Sequence, residues 1–106
     1  MQRGELWWVN LDPTLGSEIR KTRPCVILSV DALNRARRTV VVVPLTSSAT
    51  PRPPIVLALP SAGEGIRAVC DQVRTVDKQR LLNKSGRLTT KDMNQLEAAL
   101  RQVLGL

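Results

Sequence analysis

Two polar residues lie at the ends of apolar, strand-like runs of the sequence. Arg23 immediately precedes the run that begins at Pro24, and Thr46 immediately follows the run that ends at Leu45. The guanidinium of Arg23, at a probable strand end, could stabilise the phosphorane dianion that forms when a 2′-OH attacks the adjacent phosphorus of RNA. Seen alone, however, an arginine at a strand end is more often a solvated rim charge.

A second polar group interrupts the apolar pattern at Asp71-Gln72 and continues to Arg74. Asp71 could take part in proton transfer, and Arg74 could position a substrate. The competing interpretation is structural, with a buried Asp71 bonded to a backbone amide or to Arg74. The residue types alone leave both interpretations open.

The sequence contains no histidine. This excludes a two-histidine nuclease, a serine-histidine triad and a histidine-ligated metal site. Proton transfer must therefore use arginine, a carboxylate, a hydroxyl such as Thr46, or solvent. The nine acidic residues form no spaced motif for magnesium, so we expect chemistry without a metal or other cofactor.

The chain is strongly basic, with 16 Lys and Arg against 9 Asp and Glu and a formal net charge of +7. Such a charge favours a polyanionic partner, and the predominance of arginine favours phosphate. The basic residues in predicted loops are Arg20, Lys21, Arg35, Arg37, Arg38 and Arg52. If these loops converge they would form a groove for a phosphate backbone, and otherwise they only solubilise the protein.

Apolar runs and breakers predict strands at 5–11, 24–30, 39–45, 55–59, 66–70 and 73–76. In the first strand, Leu6 and Trp8 should face opposite to Val9 and Leu11. Helical turns are predicted at 31–38, capped by Asp31, and at 77–82. Pro24 is expected to open its strand because it cannot donate to a ladder.

A helix is predicted to begin at Thr89 and to end near Gly105. Thr89 followed by Asp92 resembles a capping box, and Leu88 with Met93 fits a hydrophobic staple. The apolar stripe on this helix is Met93, Leu96, Leu100, Val103 and Leu104. Together the elements predict a mainly β (α+β) fold, a partly closed antiparallel β-barrel with short helices and a C-terminal α-helix.

The length of 106 residues predicts a single domain over 1–106. The N-terminus lacks the layout of a secretory signal, and no run approaches the ~18 apolar residues of a membrane span. We therefore expect a cytoplasmic protein. Cys25 and Cys70 each lie in an apolar segment, which favours buried free thiols.

Several segments together resemble the MazF/PemK/Kid toxins. They are Arg3-Gly4-Glu5-Leu6-Trp7, Asp12-Pro13-Thr14-x-Gly16-Ser17-Glu18-x-x-Lys21-Thr22-Arg23-Pro24-x-Val26-Ile27-Leu28-Ser29, Val43-Pro44-Leu45-Thr46-Ser47, and Cys70-Asp71-Gln72-x-Arg74-Thr75-Val76-Asp77. The resemblance implies an SH3-like barrel, a homodimer with an RNA groove across its interface, and an antitoxin protein partner. It also implies sequence-selective, metal-independent cleavage of single-stranded RNA to 2′,3′-cyclic phosphate and 5′-OH ends.

By the same resemblance, Arg23 is expected to be the acid or phosphate stabiliser, with Thr46 as its catalytic partner. Asp71 and Arg74 are further candidates for catalysis or positioning. The expected RNA-binding residues are Glu18, Arg20, Lys21, Ser47, Arg52 and Gln72.

The chain departs from the Kid-like branch at Val69, where an arginine is expected. This departure puts a catalytic arginine-aspartate pair at Asp71 in doubt, although Arg67 or Arg74 could compensate. The chain also lacks the loop histidine of some members. Both differences shift the expected chemistry toward Arg23 and Thr46.

Two alternatives come from other functional classes. CcdB-like relatives share this type of fold and inhibit DNA gyrase by binding it, but the C-terminal helix here lacks the aromatic terminus expected for that activity. A nucleic-acid-binding module without activity would also fit the charge. Cleavage of RNA by the purified protein would distinguish the endoribonuclease interpretation from both alternatives.

Overall fold

The computed structural model describes residues 1–106 and contains seven strands that pair only antiparallel to one another. The strands are β1 (Glu5–Asn10), β2 (Thr22–Ile27), β3 (Thr39–Thr46), β4 (Val56–Ala58), β5 (Arg67–Val69), β6 (Arg74–Asp77) and β7 (Leu81–Arg87). The helices are α1 (Asp31–Ala36) and α2 (Thr90–Leu104), and 3-10 turns form at Pro60–Ala62, Cys70–Gln72 and Lys78–Arg80. The strand order is β4-β5-β3-β2-β1-β7, with β6 also paired to β3, so the sheet is partly barrel-like and not closed.

Two apolar clusters form on opposite sides of the curved sheet because side chains alternate along each strand. The helix-side cluster is Leu6, Val26, Val43, Leu45, Leu59, Ala68, Cys70, Leu88, Met93, Leu96 and Ala99. The second cluster is Val9, Leu11, Cys25, Ile27, Val40, Val42, Val76 and Leu81. The alternation predicted for β1 is confirmed, since Leu6 belongs to one cluster and Val9 and Leu11 to the other.

The boundaries of α2 agree with the prediction, and Met93, Leu96, Leu100 and Val103 of its predicted apolar stripe pack in or against the helix-side cluster, whereas Leu104 is exposed. Thr89 Oγ1 accepts a hydrogen bond from the Asp92 amide at 3.2 Å, and Gly105 ends the helix in the left-handed conformation. The second half of the capping box differs from expectation. The Asp92 carboxylate accepts from the Ser61 amide at 2.7 Å, so it connects α2 to the 3-10 turn between β4 and β5.

Two local predictions were wrong, and one strand was missed. β2 begins at Thr22, so Pro24 lies inside the strand, where it pairs with Trp8 of β1 while pairing to β3 starts only at Cys25. Asp31 does not cap α1; its carboxylate accepts from the Arg3 amide at 2.7 Å. Strand β7 was not predicted, because most of its side chains are polar and exposed at the edge of the sheet.

Both cysteines are buried free thiols, as predicted. Burial raises the pKa of Cys25 to about 12, with the nearby Arg74 charge acting in the opposite direction. Burial also raises the pKa of Cys70 to about 11, assisted by the charge of Asp71. Neither thiol is therefore a nucleophile at neutral pH. Separately, no helix is long and apolar enough to span a membrane.

The buried carboxylate of Glu5 ties the N-terminus, β1 and β7 together. It accepts hydrogen bonds from the Gln2 amide at 2.8 Å and from Trp7 Nε1 at 3.0 Å. It also pairs with Lys84 at 3.0 Å and Arg87 at 3.5 Å. Burial alone would raise the pKa of Glu5, but the hydrogen bonds from Trp7, Gln2 and Lys84, together with the Lys84 charge, outweigh burial and lower the pKa to about 2.

We expect Glu5→Gln to reduce the free energy of unfolding at pH 7 by on the order of 2 kcal/mol, because it removes a charged carboxylate that accepts several hydrogen bonds. A lowered carboxyl pKa stabilises the fold above the unfolded-state pKa of 4.5, and this stability is lost as pH falls toward about 2. Urea denaturation at pH 7, 4 and 2.5 should therefore show the difference shrinking in acid. Glu64→Gln, at an exposed residue, is the control, and a pH-independent difference would contradict the assignment.

Candidate functional site

Strand β3 changes partners along one of its edges. On that edge β6 pairs with Thr39–Val42, and β5 pairs with Leu45 and Thr46. Pro44 lies between these two partners and pairs only with Cys25 of β2 on the other edge. A proline has no amide hydrogen to donate, so it is tolerated in this central strand where the ladder is interrupted.

The chain crosses this interruption as the 3-10 turn Cys70–Gln72, which connects β5 to β6. The result is a cavity of about 340 Å³ at the edge of β3. It is lined by Ser17, Glu18, Ile19, Pro44, Asp71, Gln72, Val73 and Arg74. The structure thus brings together four of the predicted site residues: Glu18, Asp71, Gln72 and Arg74.

The loop between β1 and β2 is fixed to this cavity by a hydrogen bond from its own backbone. The Ile19 amide donates to Gln72 Oε1 at 2.7 Å, and the Leu15 amide donates to Glu18 Oε1 at 2.6 Å. Gln72 therefore has a structural contact in addition to its predicted contact with RNA. The hydrogen bond to Ile19 uses only its oxygen, so its side-chain amide nitrogen is left to donate to a ligand.

Arg23 and Thr46 lie beyond the last pair of the β2/β3 ladder. That pair is Cys25 with Pro44, and continuing the register by two residues places Arg23 opposite Thr46. Alternation puts both side chains on the face of Cys25 and the second cluster. Thr46 Oγ1 accepts from the Ser48 amide at 3.2 Å and lies 3.0 Å from Ser48 Oγ.

The guanidinium of Arg23 has a buried Nε that makes no hydrogen bond within the protein. A buried donor without a partner costs about 1–3 kcal/mol, so such groups are rare unless a ligand satisfies them. An anionic oxygen would be a suitable partner, since guanidinium binds phosphate strongly. This orphaned donor distinguishes Arg23 from an ordinary solvated rim charge.

A second arginine with the same property lies on the other side of Thr46. Arg67 of β5 is the direct cross-strand partner of Thr46, and its Nε is also buried and unpartnered. Its Nη1 donates to the carbonyl oxygen of Gly65. The sequence suggests Arg67 only as a substitute for the arginine missing at Val69, because the register that pairs it with Thr46 is not visible there.

Asp71 and Arg74 occupy the cavity in different ways. Asp71 is exposed, and its carboxylate accepts no hydrogen bond, so the structural interpretation of a buried, bonded Asp71 was wrong. Arg74 is half-buried and donates to the Leu11 carbonyl at 3.3 Å, which leaves most of its donors free. The cavity therefore presents one free carboxylate and one partly committed guanidinium.

The predicted basic loops do not form one groove. Lys21 and Arg20 directly precede β2, and Ser47 directly follows Thr46, so these exposed residues flank the candidate site along the chain. Arg52 lies in the following loop, where its backbone bridges to Val56. Arg35, Arg37 and Arg38 lie instead at the opposite end of β3, around α1 and the residues that follow it.

The family model for the PemK-like, MazF-like toxin of type II toxin-antitoxin systems matches residues 2–104. The chain belongs to this family. It is similar to endoribonuclease MazF9 of Mycobacterium tuberculosis, with 36% identity over 115 residues that cover 100% of this chain and 98% of the relative. It is also similar to endoribonuclease PemK of Escherichia coli, with 40% identity over 109 residues covering 98% and 82% of the two chains.

Solved structures agree with this assignment. MazF of Deinococcus radiodurans superposes with a TM-score of 0.86 at 25% identity, covering 100% of this chain and 97% of the other. A mycobacterial endoribonuclease in complex with its cognate antitoxin gives a TM-score of 0.81 at 27% identity, covering 100% and 96%. The predicted family and the predicted SH3-like, partly closed fold with a C-terminal helix are both confirmed.

We expect Gln72→Ala to release the β1–β2 loop from the cavity, because the Ile19 amide loses its hydrogen-bond acceptor. A hydrogen bond of this type contributes about 1 kcal/mol, so protection of that amide should fall roughly fivefold. Hydrogen exchange measured by NMR gives this protection directly. Gln79→Ala is the control, since the Gln79 side chain makes no hydrogen bond; equal protection of Ile19 in both variants would contradict the contact.

Proposed function

We propose that this chain is the toxin of a type II toxin-antitoxin system and acts as a sequence-specific, metal-independent endoribonuclease on single-stranded RNA. Cleavage of messenger RNA would inhibit translation and growth. The observation that carries the proposal is the position of Thr46 between two arginines whose buried Nε groups lack partners. Two relatives that match nearly all of this chain are named endoribonucleases, which supports the same activity.

In the proposed reaction, the 2′-OH of one nucleotide attacks its own 3′-phosphorus. The P–O bond to the next nucleotide breaks, which leaves a 2′,3′-cyclic phosphate and a 5′-OH. Negative charge accumulates on the non-bridging oxygens, and Arg23 is the catalytic group that donates to them. Thr46 donates its hydroxyl hydrogen to the same phosphate, exchanging its contact with Ser48 for one with substrate.

Two proton transfers must accompany this bond exchange. The 2′-OH loses a proton as it attacks, and the departing 5′-oxygen gains one. The exposed Asp71 carboxylate is a candidate acceptor for the first, while Arg74 beside it holds the phosphate near the cavity. Arg23 is the candidate acid for the second. An arginine is a weak acid at neutral pH, so we expect a modest rate of turnover.

RNA on either side of the cleaved bond is proposed to contact the loops that flank β2 and β3. The contact residues are Glu18, Arg20, Lys21, Ser47, Arg52 and Gln72. Glu18 lines the cavity beside Gln72, and both can read base edges through hydrogen bonds. Stacking contributes less, since the two tryptophans are the chain's only aromatic residues.

We further propose that residues 1–106 form one toxin domain that works as a homodimer in the cytoplasm. An antitoxin partner is supported by the solved complex of a mycobacterial relative with its cognate antitoxin. The exposed Leu104 at the end of α2 and Leu106 just beyond the helix provide apolar surface for contact between proteins. The antitoxin is proposed to inhibit by covering the RNA-binding groove.

The decisive variant is Arg23→Ala. In excess EDTA, the parent protein should cut a long single-stranded RNA at discrete sites and leave cyclic-phosphate and 5′-OH ends. Arg23→Ala should lower the cleavage rate at least ~100-fold, as expected for removal of a group that stabilises transition-state charge. Its circular dichroism should be unchanged.

Lys91→Ala removes an exposed cation on α2 and serves as the control. A substrate with a 2′-deoxy nucleotide at the cut site tests the nucleophile independently. Intact parent RNA from folded protein would overturn the proposed activity. Undiminished cutting by Arg23→Ala, or of the 2′-deoxy substrate, would overturn the proposed chemistry.

A second variant tests Arg67. Arg67→Ala should lower kcat by roughly 10- to 100-fold with little change in KM, if its guanidinium binds the phosphate mainly in the transition state. Arg67→Lys should recover only part of the rate, since an ammonium group keeps the charge but lacks the planar pair of donors. Single-turnover cleavage of one RNA oligonucleotide measures both. An equal loss in both variants, with a lowered unfolding temperature, would indicate a structural role instead.

A further inference from the structure

A second concentration of arginines lies far from the candidate site. α1 and the residues after it meet the 3-10 turn Lys78–Arg80 at the start of β3. The two segments are held together by pairing of Thr39 with Asp77 and by a hydrogen bond from the Lys78 amide to the Arg38 carbonyl at 2.9 Å. A depression of about 380 Å³ between them is lined by Arg35, Ala36, Arg37, Arg38, Asp77, Lys78 and Gln79.

We call the four cations of this depression, Arg35, Arg37, Arg38 and Lys78, the α1 basic patch. Its three arginines are exposed, and their side chains make no hydrogen bond or ion pair within the chain. The one acidic residue there is Asp77, whose carboxylate accepts a hydrogen bond from the Gln79 amide at 2.8 Å. The patch therefore has an uncompensated excess of positive charge.

The folding of this region does not account for all four cations. A basic residue near the C-terminus of a helix interacts favourably with the helix carbonyls, and Arg35 has this position on α1. Arg37 contributes its backbone amide to the Leu33 carbonyl, a bond that any residue except proline would supply. Clustered like charges repel, so their grouping favours binding of a polyanion through guanidinium groups.

The α1 basic patch and the candidate site lie at opposite ends of β3. The strand has eight residues, Thr39–Thr46, and at about 3.3 Å per residue it separates the two regions by roughly 23 Å. Val40, Val42 and Val76 of the second cluster fill the space between them. The patch is therefore too distant to contact the phosphate that Arg23 is proposed to bind. It can instead contact a different part of a long RNA.

We propose that the α1 basic patch is a second binding surface for the phosphate backbone of single-stranded RNA, engaged by nucleotides outside the cleaved segment. The inference rests on the proposed function for its biological setting. Binding at both ends of β3 raises the effective concentration of RNA at the candidate site. Long RNA is then a better substrate than a short one with the same cut site, and the difference is electrostatic.

The test compares Arg37→Gln/Arg38→Gln with Lys91→Gln/Arg101→Gln, a control that removes the same charge from exposed residues of α2. Each protein is assayed on a short RNA that cannot span the ~23 Å to the patch and on a long RNA containing the same cut site. The patch variant should raise KM for the long RNA at least fivefold, with kcat and all short-RNA parameters unchanged. The slope of log(kcat/KM) against log salt concentration on long RNA should weaken by about 0.7 for each phosphate that is no longer neutralised.

Equal KM values for the patch and control variants on long RNA would overturn the proposal, as would equal reductions of activity on the two RNAs. The single variant Arg37→Gln repeats the test if the double variant unfolds. Fluorescence anisotropy of labelled long RNA separates this failure from failure of the proposed function. If the parent cuts neither RNA, weaker long-RNA binding by the patch variant alone still supports the surface, and equal binding overturns it.

Discussion

Strand β3 has no neighbour on one of its edges between Val42 and Leu45. Pro44 occupies a central strand, where its missing amide hydrogen would ordinarily leave a ladder acceptor without a donor. The conflict is avoided because β6 ends its pairing at Val42 and β5 begins at Leu45. The chain must cross from one partner to the other, and the turn that does so places Asp71, Gln72 and Arg74 around Pro44.

The same interruption sets the positions of the residues proposed to act on the phosphate. Beyond Pro44, β3 pairs with β5 on one edge and no longer pairs with β2 on the other. Thr46 therefore has Arg67 of β5 as its cross-strand partner, and it lies opposite Arg23 of β2 where those two strands are no longer paired. Two unpartnered buried donors would each cost about 1–3 kcal/mol in the free protein. The two apolar clusters on either side of the sheet contribute the stability that offsets this cost. Under the proposed function, an anion bound by these two donors would recover the cost.

Much of the fold was predictable from local patterns. The alternation in β1, the run of valines in β3 and the cap at Thr89 each carry a signal that agrees with tertiary packing. β7 carries no such signal, since its partner β1 rather than its own composition makes it a strand. Pro24 was expected to open its strand because a proline inside a strand with neighbours on both edges would leave an acceptor without a donor. At Pro24, however, β2 pairs with only one neighbouring strand, β1.

The candidate site shows the same division between local and long-range information. Arg23 and Thr46 could be selected because each lies at the end of an apolar run, a feature visible over a few residues. The contribution of Arg67 depends on the β3/β5 register, and that of Gln72 depends on a contact with Ile19, 53 residues away. The separation of the basic residues into two groups likewise depends on which end of β3 each loop reaches. In the proposed mechanism, the direction of β3 therefore decides whether an arginine meets the cleaved phosphate or a distant one, and composition cannot supply that direction.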